Sequence, residues 1–158
     1  MTREQLEEYE SYVMPLLEDE RVQQMSEFIQ HGNTTCLQHC EAVARKSAEI
    51  AYKFKIKVDM KSMVRGAILH DYFLYDWHHQ KLGNFHGFYH PGIALKNAVR
   101  DFELNKIECD VIKKHMFPLT LYFPRYKETV VVCLADKDCT IREFFARFFK
   151  FKTIHGMS

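Results

Sequence analysis

Asp59-Met60-Lys61-Ser62-Met63-Val64-Arg65-Gly66-Ala67-Ile68-Leu69-His70-Asp71 is the stretch whose reading decides the fold. Asp59 is a capping residue, and Met60, Met63, Val64, Ala67 and Ile68 recur at the three- and four-residue steps of one helix face. His70 continues the Met63–Ala67 face, so the helix carries an imidazole inward, with Asp71 beside it at the helix end. Burying both groups unpaired is costly, so the rest of the chain must supply partners for them.

Working outward from this segment, the pattern stays helical. Upstream, Asn33-Thr34-Thr35 supplies N-cap chemistry for a helix with Leu37, Cys40, Ala44, Ser47, Ala51 and Phe54 on one face. Further upstream, residues 3–13 and 15–29 read as two acidic amphipathic helices, with Pro15 opening the second at its first turn. Downstream, residues 72–89 show no sustained period and read as a structured loop punctuated by Gly83 and Gly87. Pro91 suits the first turn of a helix carrying Leu95, Ala98, Val99 and Phe102. Asn105 with Glu108 forms a capping-box start for the stripe Ile107–Val111, and Phe117-Pro118 to Pro124 is a second loop. A long helix then runs from about Tyr126 towards Phe151. Its β-branched Thr129–Val132 run suits a strand, but an isolated strand has nothing to pair with. The fold class is all-α.

Length and composition bound the rest. The 158 residues predict one domain: an acidic helical lead-in over 1–30, a core over 31–143, and a Phe-rich C-terminal helix over 144–158. Lys+Arg is 22 and Asp+Glu 21, so no global field draws the chain to nucleic acid or an acidic membrane. The longest apolar run is six residues, Val130–Ala135, whereas a spanning helix needs about 20. Eight acids and two arginines in residues 1–30 are the reverse of an export signal. Five cysteines, an odd number without a CxxC pair, suit a reducing cytosol and a cytoplasmic location. Histidine is the unusual count: six of the nine fall between residues 70 and 115.

Several polar groups are placed towards the inside of these helices. His39 sits beside the apolar face of its helix, four residues before Val43; His115 continues the Ile107–Val111 stripe; His90 precedes Pro91; Asp136 ends the Val130–Ala135 run. A divalent metal satisfies several imidazoles and carboxylates at once, and such mixed ligands suit Mn, Fe, Zn, Ni or Co. Any one of these histidines by itself reads as a hydrogen-bonded core residue; their joint occurrence with His70-Asp71 favours a site. Asp138 competes with Asp136, because it shares a face with Leu134, Ile141 and Phe145, and periodicity does not choose between them. His78, His79 and His86 read as loop or rim residues, and His31 as part of the loop before a helix start. Cys36 and Cys40, four apart, read as packing.

The order His39 … His70-Asp71 … Asp136 resembles the HD-domain metal-dependent phosphohydrolase superfamily, whose signature is H…HD…D on an all-helical core. The flanks carry the likeness: Gln38-His39-Cys40-Glu41-Ala42-Val43-Ala44, Gly66-Ala67-Ile68-Leu69-His70-Asp71 and Leu134-Ala135-Asp136-Lys137, within about residues 31–143. The resemblance implies a single HD-type domain in which His39, His70, Asp71 and Asp136 hold one metal between core helices. His90 and His115 match the extra histidines of members that hold a second ion, which implies two ions with Asp71 as the bridge and catalytic centre. It also favours Asp136 over Asp138. One departure stands out. Members often follow the HD pair with small residues and a phosphate-binding Lys, whereas here Tyr72-Phe73-Leu74-Tyr75 follows and no Lys comes before Lys81. A phosphate anchor would then come from Lys114, Arg125 or Lys137.

The function this implies is a metal-dependent phosphohydrolase of a small phosphate ester, a nucleotide among the options, using a metal-bound hydroxide. No GxSxG elbow or P-loop is present to suggest another hydrolase or a nucleotide-driven motor. The alternative is a metal-loaded sensor or adaptor that binds a phosphorylated metabolite without turnover, supported by the missing Lys after His70-Asp71. A third reading is a purely structural helical protein that dimerises through its Phe-rich C-terminus. In either setting the stripe of Phe144, Phe145, Phe148 and Phe149 serves as core or as a face for homo-oligomer formation.

Overall fold

Tyr9, Val13 and Leu16 lie at i, i+4 and i+7, and their joint burial carries the first helix, α1 (Arg3–Leu17), straight through Pro15. The expected break at Pro15 is therefore wrong. Proline removes one hydrogen bond and crowds the carbonyl four residues back, but here it falls in the last turn, where burial of the stripe outweighs that cost. Asp19 then accepts from the Arg21 amide at 2.9 Å and starts the short α2 (Glu20–Gln23), followed by a 3-10 turn over Gln24–Glu27. Strands β1 (Ile29–His31) and β2 (Thr34–Thr35) pair antiparallel across a bulge. This hairpin is the only sheet among the described residues, and helices carry the fold. The computed structural model describes residues 1–31, 33–75 and 86–154, of which 31, 86 and 146–154 by backbone alone.

Thr35 closes a capping box with Gln38, its hydroxyl accepting from the Gln38 amide at 3.2 Å, and so launches α3 (Cys36–Lys53). Leu37, Cys40, Ala44, Ser47 and Ala51 bury as the expected stripe. Phe54 does not belong to it: it is 66% exposed, because Lys55, at φ 52°, turns the chain out through the left-handed region. Asp59 caps α4 (Met60–Leu69), accepting from the Ser62 amide at 3.0 Å. The next helix, α5 (His86–Asp101), begins five residues before Pro91. Pro91 therefore lies inside it, and His90 sits on the helix rather than on a loop ahead of it. Of the loop read over residues 72–89, residues 76–85, with His78 and His79, lie outside the described residues, as does the His86 side chain.

Asn105 caps α6 (Lys106–Lys114) through a capping box with Glu108, and α7 (Lys127–Ile154) runs unbroken over the Thr129–Val132 segment. The 143/144 boundary drawn from the sequence thus falls within one helix. On α7, Val131, Val132, Ala135 and Cys139 are buried, while Leu134, Ile141, Phe144 and Phe145 are exposed. The side chains of Phe148, Phe149 and Phe151 lie outside the described residues.

α4 is the centre of the packing. It lies against α1, α3, α6 and α7, and Met63, Val64, Ala67, Ile68 and Leu69 are fully buried. Its approach to α6 depends on Gly66, where an added Cβ would come within 2.9 Å of the Val111 Cβ. One turn beyond Gly66 is His70, and one turn beyond Val111 is His115, so this close crossing brings the two imidazoles together. Among the described residues, no helix is long and apolar enough to cross a membrane.

Candidate metal centre

Five helices each deliver at least one polar side chain to the same buried point. His39 comes from α3, His70 and Asp71 from the end of α4, His90 from α5, His115 from the end of α6 and Asp136 from α7, and all six are buried. Nε2 of His39 lies 3.1 Å from Oδ1 of Asp136, and Nε2 of His90 lies 3.0 Å from Oδ1 of Asp71. His115 Nε2 is 3.5 Å from that same Asp71 oxygen and 2.8 Å from His90 Nε2. His70 stands between the two ends, its ring 5.5 Å from that of His39 and 4.7 Å from that of His115.

The backbone fixes the orientation of two of these rings. Nδ1–H of His70 donates to the Ala67 carbonyl at 2.7 Å, and Nδ1–H of His115 donates to the Ile112 carbonyl at 3.0 Å. Each helix end thereby keeps a proton on Nδ1 and turns Nε2 towards the cluster. His70 Nε2 is fully buried without a hydrogen-bond partner, and Asp71 Oδ1, also fully buried, faces the imidazoles of His90 and His115. Acceptors converging like this, two ring nitrogens 2.8 Å apart among them, need a shared proton or a cation between them. The groups His39–His70–Asp136 and His70–Asp71–His115 each bring three ligand atoms within 4.8 Å of one another. Mixed imidazole and carboxylate donors fit a divalent transition metal.

Electrostatics separates the two ends. Burial disfavours charge on His39, but its hydrogen bonds to Asp136 and Glu143 outweigh that and hold the imidazole well above its ordinary value. Burial also opposes a charged His70, yet neighbouring Cys40, Asp71 and Asp136 raise it to about 9. His115 goes the other way: burial, with His70 nearby, drives it down to about 3. Against their own burial, Asp71 is held well below the carboxylate range by His70, His90 and His115, and Asp136 is lowered to about 2, chiefly by His39.

Asp138, the rival of Asp136, faces elsewhere. Two residues turn a helix by roughly 200°, and Asp138 pairs with Lys46 at 3.1 Å and Arg142 at 2.8 Å. Of the three expected phosphate anchors, the structure brings only Lys137 beside the cluster, with Nζ 3.5 Å from the His115 carbonyl and 3.2 Å from that of Cys133. Lys114 is instead ion-paired with Asp110, whose other oxygen takes the Arg125 amide at 2.9 Å and the Thr129 hydroxyl at 2.7 Å. Lys114 and Arg125 line a separate groove with Lys106, Lys113 and Tyr126. The reason is angular: Lys114 is one residue, about 100°, round the helix from His115.

Three contributors escaped the sequence reading. Gln30, buried on β1, donates from Nε2 to Oδ2 of Asp71 at 2.6 Å. Glu143 on α7 accepts from Nδ1–H of His39 at 3.0 and 3.2 Å through its two oxygens. Asn97 on α5 donates to the carbonyls of Tyr72 and Phe73 at 3.2 and 2.9 Å, which holds the chain just after Asp71. Only Glu143 leaves a spacing signal, seven residues after Asp136 and so on the same helix face. Cys36, read as packing, also donates its thiol to the Asp71 carbonyl at 3.2 Å.

A family model described as HD domain matches residues 36–140. No curated protein and no solved structure matches the chain.

Proposed function

The chain belongs to the HD-domain family, and from that membership and its buried cluster we propose that it is a metal-dependent hydrolase of a small phosphate ester. One observation carries the reading: six buried imidazoles and carboxylates converge, with His70 Nε2 unpartnered and three imidazoles around Asp71, an arrangement suited to cations. His39, His70, Asp71 and Asp136 would hold one ion, and His90 and His115 with Asp71 a second. When bound, such ions supply Lewis acidity that activates water near neutral pH and neutralises phosphate charge.

The chain's own groups support that chemistry. The carbonyls of Ala67 and Ile112 hold the Nδ1 protons of His70 and His115, so both Nε2 atoms already face the cluster and neither ring needs to turn on binding. Asp71, within reach of His70, His90 and His115, would be shared between the two ions, and Gln30 fixes one of its oxygens. Lys137 is the cation this reading retains for the phosphate; Lys114 and Arg125 are released from that role because Lys114 is engaged with Asp110 in another part of the surface. No covalent intermediate on the protein is required, and positioning with electrostatics supplies the catalysis.

A specific feature favours a second reading, a sensor that binds a phosphorylated metabolite without turnover. The residues after Asp71 are the buried aromatics Tyr72 and Phe73, with no lysine among them. Elemental analysis and a panel of phosphate esters on one purified sample separate the two. The enzyme reading expects retained transition metal and turnover of at least one small ester. Retained metal with no turnover transfers the case to the sensor, and a metal-free protein that takes up none removes both.

A further inference from the structure

His39 is gripped from both sides by one helix. Asp136, Thr140 and Glu143 occupy positions i, i+4 and i+7 of α7 and so share a face. Asp136 Oδ1 lies 3.1 Å from His39 Nε2, and the Thr140 hydroxyl donates to that same Asp136 oxygen at 3.4 Å. At the other edge of the ring, both Glu143 oxygens lie within hydrogen-bond distance of Nδ1. The His39 side chain is 1% exposed and that of Glu143 14%, so this contact is largely shielded from water. The other two rings with a fixed tautomer use a backbone carbonyl of their own helix, whereas His39 uses an ionisable side chain from another helix.

We infer that Glu143, which lies beyond the residues matched by the family model, is a positioning residue for the metal centre. By accepting the Nδ1 proton of His39, it keeps Nε2 as the ligating nitrogen and fixes the plane of the ring. The inference rests on the proposed metal-binding function. It extends it to a residue that touches neither substrate nor ion and acts only through His39. A carboxylate behind a ligating imidazole raises the imidazole's basicity as well as holding it, and losing such a partner typically costs about 10–100-fold in metal affinity.

The test is Mn2+ affinity, followed through the free-ion electron paramagnetic resonance signal, for wild type, Glu143→Leu, Glu143→Gln and Asp138→Asn. Melting in excess chelator shows that each variant is folded. Glu143→Leu should bind about 10–100-fold more weakly. Glu143→Gln keeps a hydrogen-bond acceptor and should recover most of the loss, which a role in packing alone would not produce. Asp138→Asn removes an acid from another face of the same helix and should bind like wild type. Equal affinity of wild type and Glu143→Leu overturns the inference while leaving the function intact. So does a Gln variant as weak as Leu, or an Asp138→Asn variant as weak as either. Failure of the wild type itself to bind Mn2+ brings down the proposed function, and the inference with it.

Discussion

The two ends of the cluster are built on different principles. At the His39 end, charge holds charge: an imidazole between two carboxylates on the long helix α7, raised well above its ordinary value. At the His115 end, backbone and burial do the work: an imidazole pinned by its own helix carbonyl, kept neutral, with its Nε2 2.8 Å from Nε2 of His90. A protonated ring must lose its proton before it can bind a metal, whereas a neutral one is ready at once. The difference shows that one buried cluster can orient its imidazoles in two ways, with Asp71 and His70 standing between them.

The strongest way to break this comparison is to remove the group both ends share. Asp71→Ala should strip most of the bound metal and abolish turnover, because it deletes the carboxylate that His70, His90 and His115 all approach. Elemental analysis showing equal metal in wild type and variant would end the shared-site picture. Next in size are the single-end replacements. His90→Ala or His115→Ala should lower the metal content towards one per chain and cost more turnover than stability, while Asp136→Asn should weaken the His39 end and abolish hydrolysis. A wild type saturating at one ion, unchanged in both histidine variants, would leave a mononuclear site.

A subtler approach drives the two ends apart without touching a ligand. Gly66→Ala puts a Cβ against Val111 at the α4–α6 crossing, and overpacking of that kind costs about 1–3 kcal/mol. Chemical denaturation should show the loss, and metal affinity should fall with it, because His70 and His115 are the two imidazoles brought together by that crossing. Unchanged affinity in the destabilised variant would show that the crossing does not set the ligand spacing.

The smallest effect lies in pH. In the metal-free protein, His39 and His70 are raised above 6.5, so the stability they add is complete below that pH. It is lost as pH rises towards their folded values, about 9 for His70. His115, driven down to about 3, acts in the opposite sense and only below 6.5. Metal ligands must be deprotonated, so affinity for the ion grows over the same range. The melting-temperature gap between Mn2+-loaded and chelated protein should therefore widen from pH 6.5 to 9, by about 2–4 °C for each kcal/mol. A gap that narrows would contradict the charged character of the His39 end.

Regular periodicity was the legible part of the sequence. The stripes of α3 and α4 and the caps Thr35, Asp59 and Asn105 are local signals, and each marks a helix start in the structure. Pro15 and Pro91 misled because proline favours the first turn of a helix on its own account, while burial across Tyr9, Val13 and Leu16 extends α1 past Pro15. The hairpin at 29–35 is too short to show alternation, so Gln30 had no pattern to place it. Asp136 could be separated from Asp138 by resemblance alone; what separates them in space is the position of α3, which periodicity on α7 does not contain. Glu143 was legible as a spacing, but its partner lies 104 residues away.

Asn97 gives α5 a mechanical property. It lies seven residues after His90, on the same helix face, and holds the carbonyls of both Tyr72 and Phe73. The position of α5 therefore sets two places at once: the His90 imidazole at the cluster and the peptide that leaves Asp71. One helix thus ties the cluster to the chain that leaves Asp71, with His90 at one end of the tie and Asn97 at the other.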